Sequence, residues 1–241
     1  KSQVETISEL IPKVIHEEGF IDQVVDGLSV TVTEMFRDPD FFQHLRTDVL
    51  PTLKSYPRLN IWIAGCATGE EVFSLAILLH EEGLLKRSTI YATDINAKNL
   101  ETAKSGIFPL DRVPTYTRNY QAAGGKASFS DYYHARYSRA KLSQFILDRI
   151  VFNEHNLVVD SVFGEMQLVL CRNVLIYFKE TLQNRAISLF YNSLVRSGFL
   201  CLGTKESLRS FNDKGKFETV CAENKIYHKV LSTIRPSRLT E

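Results

Sequence analysis

Apolar and polar positions along the chain fall into an order of amphipathic helices followed by short buried strands that alternate with helices. Val4, Ile7, Ile11, Val14 and Ile15 recur at helical spacing over residues 4–18, and Gly19 is placed to stop that helix. A shorter helix is expected over 21–27, and the segment 30–36 alternates apolar with polar residues. Arg37-Asp38-Pro39 then reads as a turn, with Asp38 as N-cap and Pro39 as first residue of a helix reaching about residue 54. Ile61-Trp62-Ile63-Ala64 is a short apolar run, the pattern of a strand covered on both faces. Residues 70–79 put Val72, Leu75, Ala76 and Leu79 on one helical face. Ile90-Tyr91-Ala92-Thr93 gives a second strand, with Asp94 just past its end, and Asn96 and Gly106 cap and stop the next helix.

Strands resume at 150–152 and 166–170, a helix spans 181–195, and residues 199–203 and 225–231 read as a closing antiparallel pair. Residues 107–150 break this alternation. They hold Pro109, Pro114, a Gly124-Gly125 turn and many tyrosines, the composition of an inserted subdomain. The predicted fold is α/β: a Rossmann-like, mostly parallel sheet with an antiparallel closing strand. An N-terminal helical segment (1–55) precedes the main domain (56–241), which carries the small inserted subdomain at about 107–150.

Composition changes this picture little. The chain has 241 residues, 44% hydrophobic and 24% charged, and no apolar run near the ~20 residues a membrane span needs. It begins at Lys1 without a signal-peptide pattern, which reads as a trimmed chain with residues upstream; a cytoplasmic monomer without membrane insertion is the separate expectation. Cys66, Cys171, Cys201 and Cys221 show no paired framework and read as reduced thiols; the scattered histidines predict no metal. Charge is uneven: residues 112–149 hold seven Lys/Arg and two acids, interleaved with Tyr116, Tyr120, Phe129, Tyr132, Tyr133 and Tyr137. Such a segment can face an acidic protein or a nucleic acid; the plainer alternative is a solvated surface over aromatic core contacts.

The stretch 60–94 points to a nucleoside-containing ligand. Gly65 and Gly69 bracket a loop between strand and helix, and Asp94 at the end of the next strand can accept hydrogen bonds from both ribose hydroxyls. The dinucleotide pattern GxGxxG needs a second glycine where Ala67 stands, and Glu70-Glu71 would repel a pyrophosphate. S-adenosylmethionine has no phosphate and carries an ammonium that suits a carboxylate. Glu70, next to Gly69, is the acid assigned to that contact; Glu71 is equally served by a role as a first-turn acid on the helix dipole.

Several pieces occur together: Thr33-Glu-Met-Phe36-Arg37-Asp38, Ala67-Thr68-Gly69-Glu70-Glu71, Ala92-Thr93-Asp94-Ile95, Asn156-Leu157, and Cys171-Arg172-Asn173-Val174-Leu175-Ile176-Tyr177-Phe178. In this order and spacing, from about residue 30 to 230, the chain resembles the chemotaxis receptor glutamate methyltransferases of the CheR type. The resemblance implies a class I methyltransferase fold with a seven-stranded sheet, and a β-subdomain at the insertion. It implies S-adenosylmethionine as cofactor, S-adenosylhomocysteine as product, and glutamate carboxylates of chemoreceptor helices as methyl acceptors. It also implies roles: Thr31, Thr33 and Arg37 approaching the cofactor, with Gly65 and Ala67 in its loop and Glu70 at its amino group or near its ribose. Asp94 and Ile95 would lie at the ribose, Asn156 and Leu157 at the adenine, and Asn173 and Val174 at the methionine portion. Arg37 and Tyr177 would face the reacting centre.

Departures from the family pattern are Thr31 for a common Asn, Met35-Phe36-Arg37 for Phe-Phe-Arg, and Gly203-Thr-Lys-Glu206 for Gly-His-Ser-Glu. The inserted segment differs from the short glycine-loop hairpin that docks a receptor's C-terminal pentapeptide, so no tight tethering of such a peptide is expected. Arg136 and Arg139 are the expected docking cations for an acidic protein. A nucleic-acid methyltransferase is disfavoured, because Asn173-Val-Leu-Ile-Tyr177 lacks the prolines of the base-binding turn. A non-catalytic cofactor-binding module remains the other alternative.

Overall fold

A computed structural model describes residues 33–208, 211 and 215–230, together with 7–17, 19, 20, 24 and 27 toward the N-terminus. Among these residues the strands are β1 (Leu59–Ala64), β2 (Ser88–Asp94), β3 (Ile107–Pro109), β4 (Tyr133–Arg136), β5 (Arg139–Leu142), β6 (Ile150–Glu154), β7 (Met166–Cys171), β8 (Leu194–Leu202), β9 (Phe217–Cys221) and β10 (Ile226–Lys229). The main helices are α1 (Ile7–His16), α2 (Pro39–His44), α3 (Glu70–Glu81), α4 (Ala97–Ser105), α5 (Val113–Ala122), α6 (Gln144–Leu147) and α7 (Glu180–Ser193).

Seven strands form one sheet in the order β6-β2-β1-β7-β8-β10-β9. The pairs β1–β2, β1–β7, β2–β6 and β7–β8 are parallel, and β10 runs antiparallel to both β8 and β9. This is the seven-stranded, mostly parallel sheet with antiparallel closing strand that the resemblance implies. Its central strands are apolar without alternation because both faces are covered. Ile61, Ile63, Leu168 and Leu170 belong to one buried cluster with α3, whereas Trp62, Ala64, Val169 and Cys171 pack with Ala186, Ile187 and Phe190 of α7.

The structure departs from the sequence pattern in four places. The helix expected over 39–54 passes through a π-turn (Leu45–Val49) before a last turn (Leu50–Leu53), because Pro51 has no N–H to give the Thr47 carbonyl. Asp38 sits at the N-cap of α2, with Pro39 following, but its side chain makes no cap bond and goes to Arg172 instead. Helix α3 is buried from Val72 through Leu79 rather than along one stripe, since the inserted segment covers the face turned away from the sheet. Strand β9 was not expected, and its mostly exposed residues explain why no apolar pattern marks it. The helix expected over 21–27 lies mostly outside the described residues.

The inserted segment makes its own antiparallel sheet, β3-β5-β4, beside α5. Tyr116, Tyr120, Phe129 and Tyr132 are buried in it, so most of its aromatic residues are core, while Arg136, Arg139 and Lys141 are exposed. Among the described residues no helix is long and apolar enough to cross a membrane.

Candidate active site

Chain order places β2 and β6 on one side of β1 and β7 on the other, so connections diverge at the carboxyl ends of β1 and β7. Open parallel sheets bind ligands at such a switch point. A cleft of about 610 Å³ lies there, within the usual range for small-molecule sites. Gly65, Cys66 and Ala67 after β1, Asp94 and Ile95 at the end of β2, and His155, Asn156 and Leu157 after β6 contribute to its lining. Arg172, Asn173, Val174, Tyr177 and Phe178 come from the segment after β7, and Thr33, Glu34, Arg37 and Phe42 from the N-terminal side.

The glycine loop is shaped by the strands beneath it. Gly65 and Cys66 N–H both donate to the Thr93 carbonyl, at 2.7 and 2.9 Å. Gly65 has φ +75, and a Cβ there would stand 2.4 Å from Val174 Cγ2, so this crossing of the β1 and β7 loops admits only glycine. Ala67 takes φ 47 and donates its N–H to Asp94 Oδ2 at 2.8 Å. The other Asp94 oxygen accepts from Asn96 N at 2.9 Å. Asp94 is thereby fixed at the end of β2 with lone pairs still available to a ligand. Ala67, Phe36, Asp38 and Asn173 all have positive φ, at or beside the cleft lining. Non-glycine residues held in that region cluster at functional sites.

The two adjacent acids divide their work. Glu71 lines the cleft; Glu70 does not. Glu70 is buried beneath the loop, where it accepts from Thr68 Oγ1 at 2.6 Å and from the Tyr116 hydroxyl of the inserted segment. Adjacent residues differ by about 100° around a helix, which sends the two carboxylates to different faces. Burial raises the carboxyl pKa of both, and for Glu71 the Arg172 guanidinium opposes that rise.

Arg172 is a buried cation in the cleft lining. Its Nη2 donates to Asp38 Oδ2 at 2.6 Å, its Nη1 to Glu71 Oε1 at 3.2 Å, and its guanidinium stacks 4.0 Å from the Phe41 ring centroid. Its buried Nε has no hydrogen-bond partner. Arg172 is a functional candidate that residue-level reasoning did not single out, and Glu71 is one that it left evenly divided between function and the helix dipole, although both stand inside the family motifs.

Of the residues singled out in the sequence, Thr33, Arg37, Gly65, Ala67, Asp94, Ile95, Asn156, Leu157, Asn173, Val174 and Tyr177 all line this one cleft. Thr31 lies outside the described residues. Arg136 and Arg139 lie on the exposed hairpin of the insertion, apart from the cleft lining.

A class I sheet whose loops hold acids, without a phosphate cradle, at the ribose end of a cleft defines an S-adenosylmethionine-dependent methyltransferase. The residues present fit that cofactor: Asp94 for ribose hydroxyls, Glu71 for an ammonium, and the unpartnered Arg172 Nε for a carboxylate. A family model described as "CheR methyltransferase, SAM binding domain" matches residues 31–226, and the chain belongs to that family. It is 48% identical to a protein named as a methyltransferase, Cher3, of Pseudomonas putida, over 93% of this chain and 82% of that one. It is 30% identical to chemotaxis protein methyltransferase 1 of Vibrio cholerae, over 95% of this chain and 84% of that one. A 104.1 kDa uncharacterized protein of Rhodobacter capsulatus is 32% identical over 97% of this chain, which spans 24% of that protein.

Proposed function

We propose that this methyltransferase esterifies glutamate side-chain carboxylates of an acidic protein, the signalling helices of a chemoreceptor, giving glutamate methyl esters. The chemotaxis naming of relatives such as that of Vibrio cholerae supports the substrate class. The observation that carries the reading is the convergence of Arg37 and Tyr177, from distant parts of the chain, on a cleft that fits the cofactor.

When bound, the cofactor supplies an electrophilic methyl group on a sulfonium. A glutamate acceptor is already ionised at pH 7, with an unperturbed pKa of about 4.3, so no general base is required. What the chain must do is strip water from that carboxylate and hold one oxygen in line. Arg37 can do so by charge-assisted hydrogen bonding, and the Tyr177 hydroxyl by a neutral one. Tyr177 is 60% exposed, which leaves it accessible to an incoming side chain. Arg37 orients more than it activates, because a tight ion pair would blunt the nucleophile. Asp94 holds the ribose and Glu71 the ammonium, with Glu70 supporting the loop from behind.

The test is incubation with methyl-labelled cofactor and an acidic receptor fragment. Base-labile label on glutamates is expected, and Arg37→Ala and Tyr177→Phe should each lower kcat/KM about 100-fold. Both variants should melt at the wild-type temperature. Alkali-stable label would mean a different acceptor atom, and cofactor binding without transfer would mean a non-catalytic module.

A further inference from the structure

Glu206 lies behind the wall of the cleft and is not itself one of its lining residues, yet it organises that wall. It is 5% exposed. Its Oε1 accepts from Val174 N at 2.9 Å and Leu175 N at 2.7 Å, and its Oε2 from Asn173 N at 3.1 Å and Gly203 N at 2.5 Å. Three successive N–H groups converging on one anion form the concavity with which a backbone ordinarily grips a free phosphate. Here the occupant is the chain's own carboxylate. The gripped residues lead directly into Tyr177, whose N–H donates to the Val174 carbonyl at 3.2 Å. Asn173 holds φ 61, a conformation that needs support from its surroundings. Gly203 completes the fit, since a Cβ there would stand 2.8 Å from both Asn173 N and Glu206 Oε2.

We propose that Glu206 is the positioning residue of the 173–177 wall: its carboxylate fixes the backbone that presents Asn173, Val174 and Tyr177 to the cofactor and the acceptor. The role rests on the proposed methyl-transfer reading, in which Tyr177 meets the acceptor, but its test needs no methyl acceptor. Bonds from four N–H groups to a carboxylate are stronger than their neutral counterparts. They also set the wall before any ligand arrives. Glu206→Gln keeps the shape, but it turns an NH2 group toward two of the four donors, so one side of the grip must open.

Calorimetric titration with S-adenosylhomocysteine is the readout. Glu206→Gln should raise its Kd about tenfold or more. Phe217→Ala, in the edge strand β9 and outside the cleft lining, serves as a control chosen for its loss of melting temperature and should leave Kd within about twofold of wild type. A Glu206→Gln protein that loses stability but keeps wild-type Kd would overturn the proposal. Should that variant fail to fold, hydrogen exchange on the wild-type protein decides. The amides of 173, 174 and 175 should be protected in the ligand-free protein and gain little on adding S-adenosylhomocysteine. Fast exchange that slows only with ligand would show that the ligand, not Glu206, holds the wall.

Discussion

At the scale of single residues, Asp94 shows how this loop differs from a phosphate-binding one. Ala67 stands where a dinucleotide loop needs its second glycine, and it adopts a glycine-like φ of 47. Its N–H, which in a phosphate loop would point at the ligand, is taken by Asp94 Oδ2. The loop therefore offers an acceptor where a phosphate needs a donor. Asp94→Asn should raise the Kd for S-adenosylhomocysteine about 10- to 100-fold, the worth of a hydrogen bond to a charged group, about 1.5–3 kcal/mol. A calorimetric Kd unchanged by that substitution would remove Asp94 from the ribose contact. Asp94 was legible in the sequence because a strand end and a short motif identify it. Glu206 was not: the Gly203-to-Glu206 stretch was visible, but three of its four partners lie about thirty residues earlier, and nothing local couples them. The choice between Glu70 and Glu71 was equally hidden, since it turns on one step of helix phase.

At the scale of elements, α3 is clamped at both ends by the inserted segment. Tyr116 reaches Glu70 at its start; at its end Glu81 accepts from the Tyr120 and Tyr132 hydroxyls at 2.5 and 2.9 Å, and also pairs with Arg46. Next to it, Glu82 is bound by Lys126 at 2.6 Å, Arg46 at 2.7 Å and Lys54 at 3.3 Å. Removal from water alone would raise the Glu82 pKa, but hydrogen bonds and charge from these three cations outweigh it and hold the carboxyl at about 2. Its folded pKa lies below the ordinary 4.5, so the cluster stabilises the fold fully above that pH and is lost as pH falls toward 2. Thermal melts followed by circular dichroism should show the midpoint dropping across this window, and Glu82→Gln should flatten that part of the profile. An unaltered profile in the variant would mean that other carboxylates govern acid unfolding. Apolar runs made β1, β2 and β7 readable. The full burial of α3 was not, because the covering layer comes from an insertion whose docking no local pattern encodes.

At the scale of the whole molecule, the cofactor cleft and the basic hairpin occupy separate places. Arg136 and Arg139 pair across β4 and β5, and the exposed Tyr137 lies under the Arg136 guanidinium at 5.2 Å. If this face captures an acidic substrate, Arg136→Glu with Arg139→Glu should raise substrate KM about tenfold at low salt. Cofactor Kd should be unchanged, and the difference should shrink as ionic strength rises. An unchanged KM would assign capture to another surface. The alternation of strand and helix was readable because each βα unit announces itself, and the family resemblance implied the seven-stranded sheet; the order of strands within it came from the structure. The location of the charged surface relative to the cleft had to come from three dimensions.

One further property follows from the placement of Trp62, the protein's single tryptophan. Its indole is fully buried in β1, and its Nε1 donates to Thr93 Oγ1 at 2.9 Å. The Thr93 carbonyl in turn holds Gly65 and Cys66. Its ring meets His155 and Phe163 edge-on, on either side of Asn156 and Leu157 in sequence. All tryptophan emission therefore originates at one chromophore, in contact with the supports of two walls of the cleft. The protein thus carries an intrinsic optical reporter packed behind its own cleft, and a change in emission on adding S-adenosylhomocysteine is the outcome expected of a titration with no dye attached.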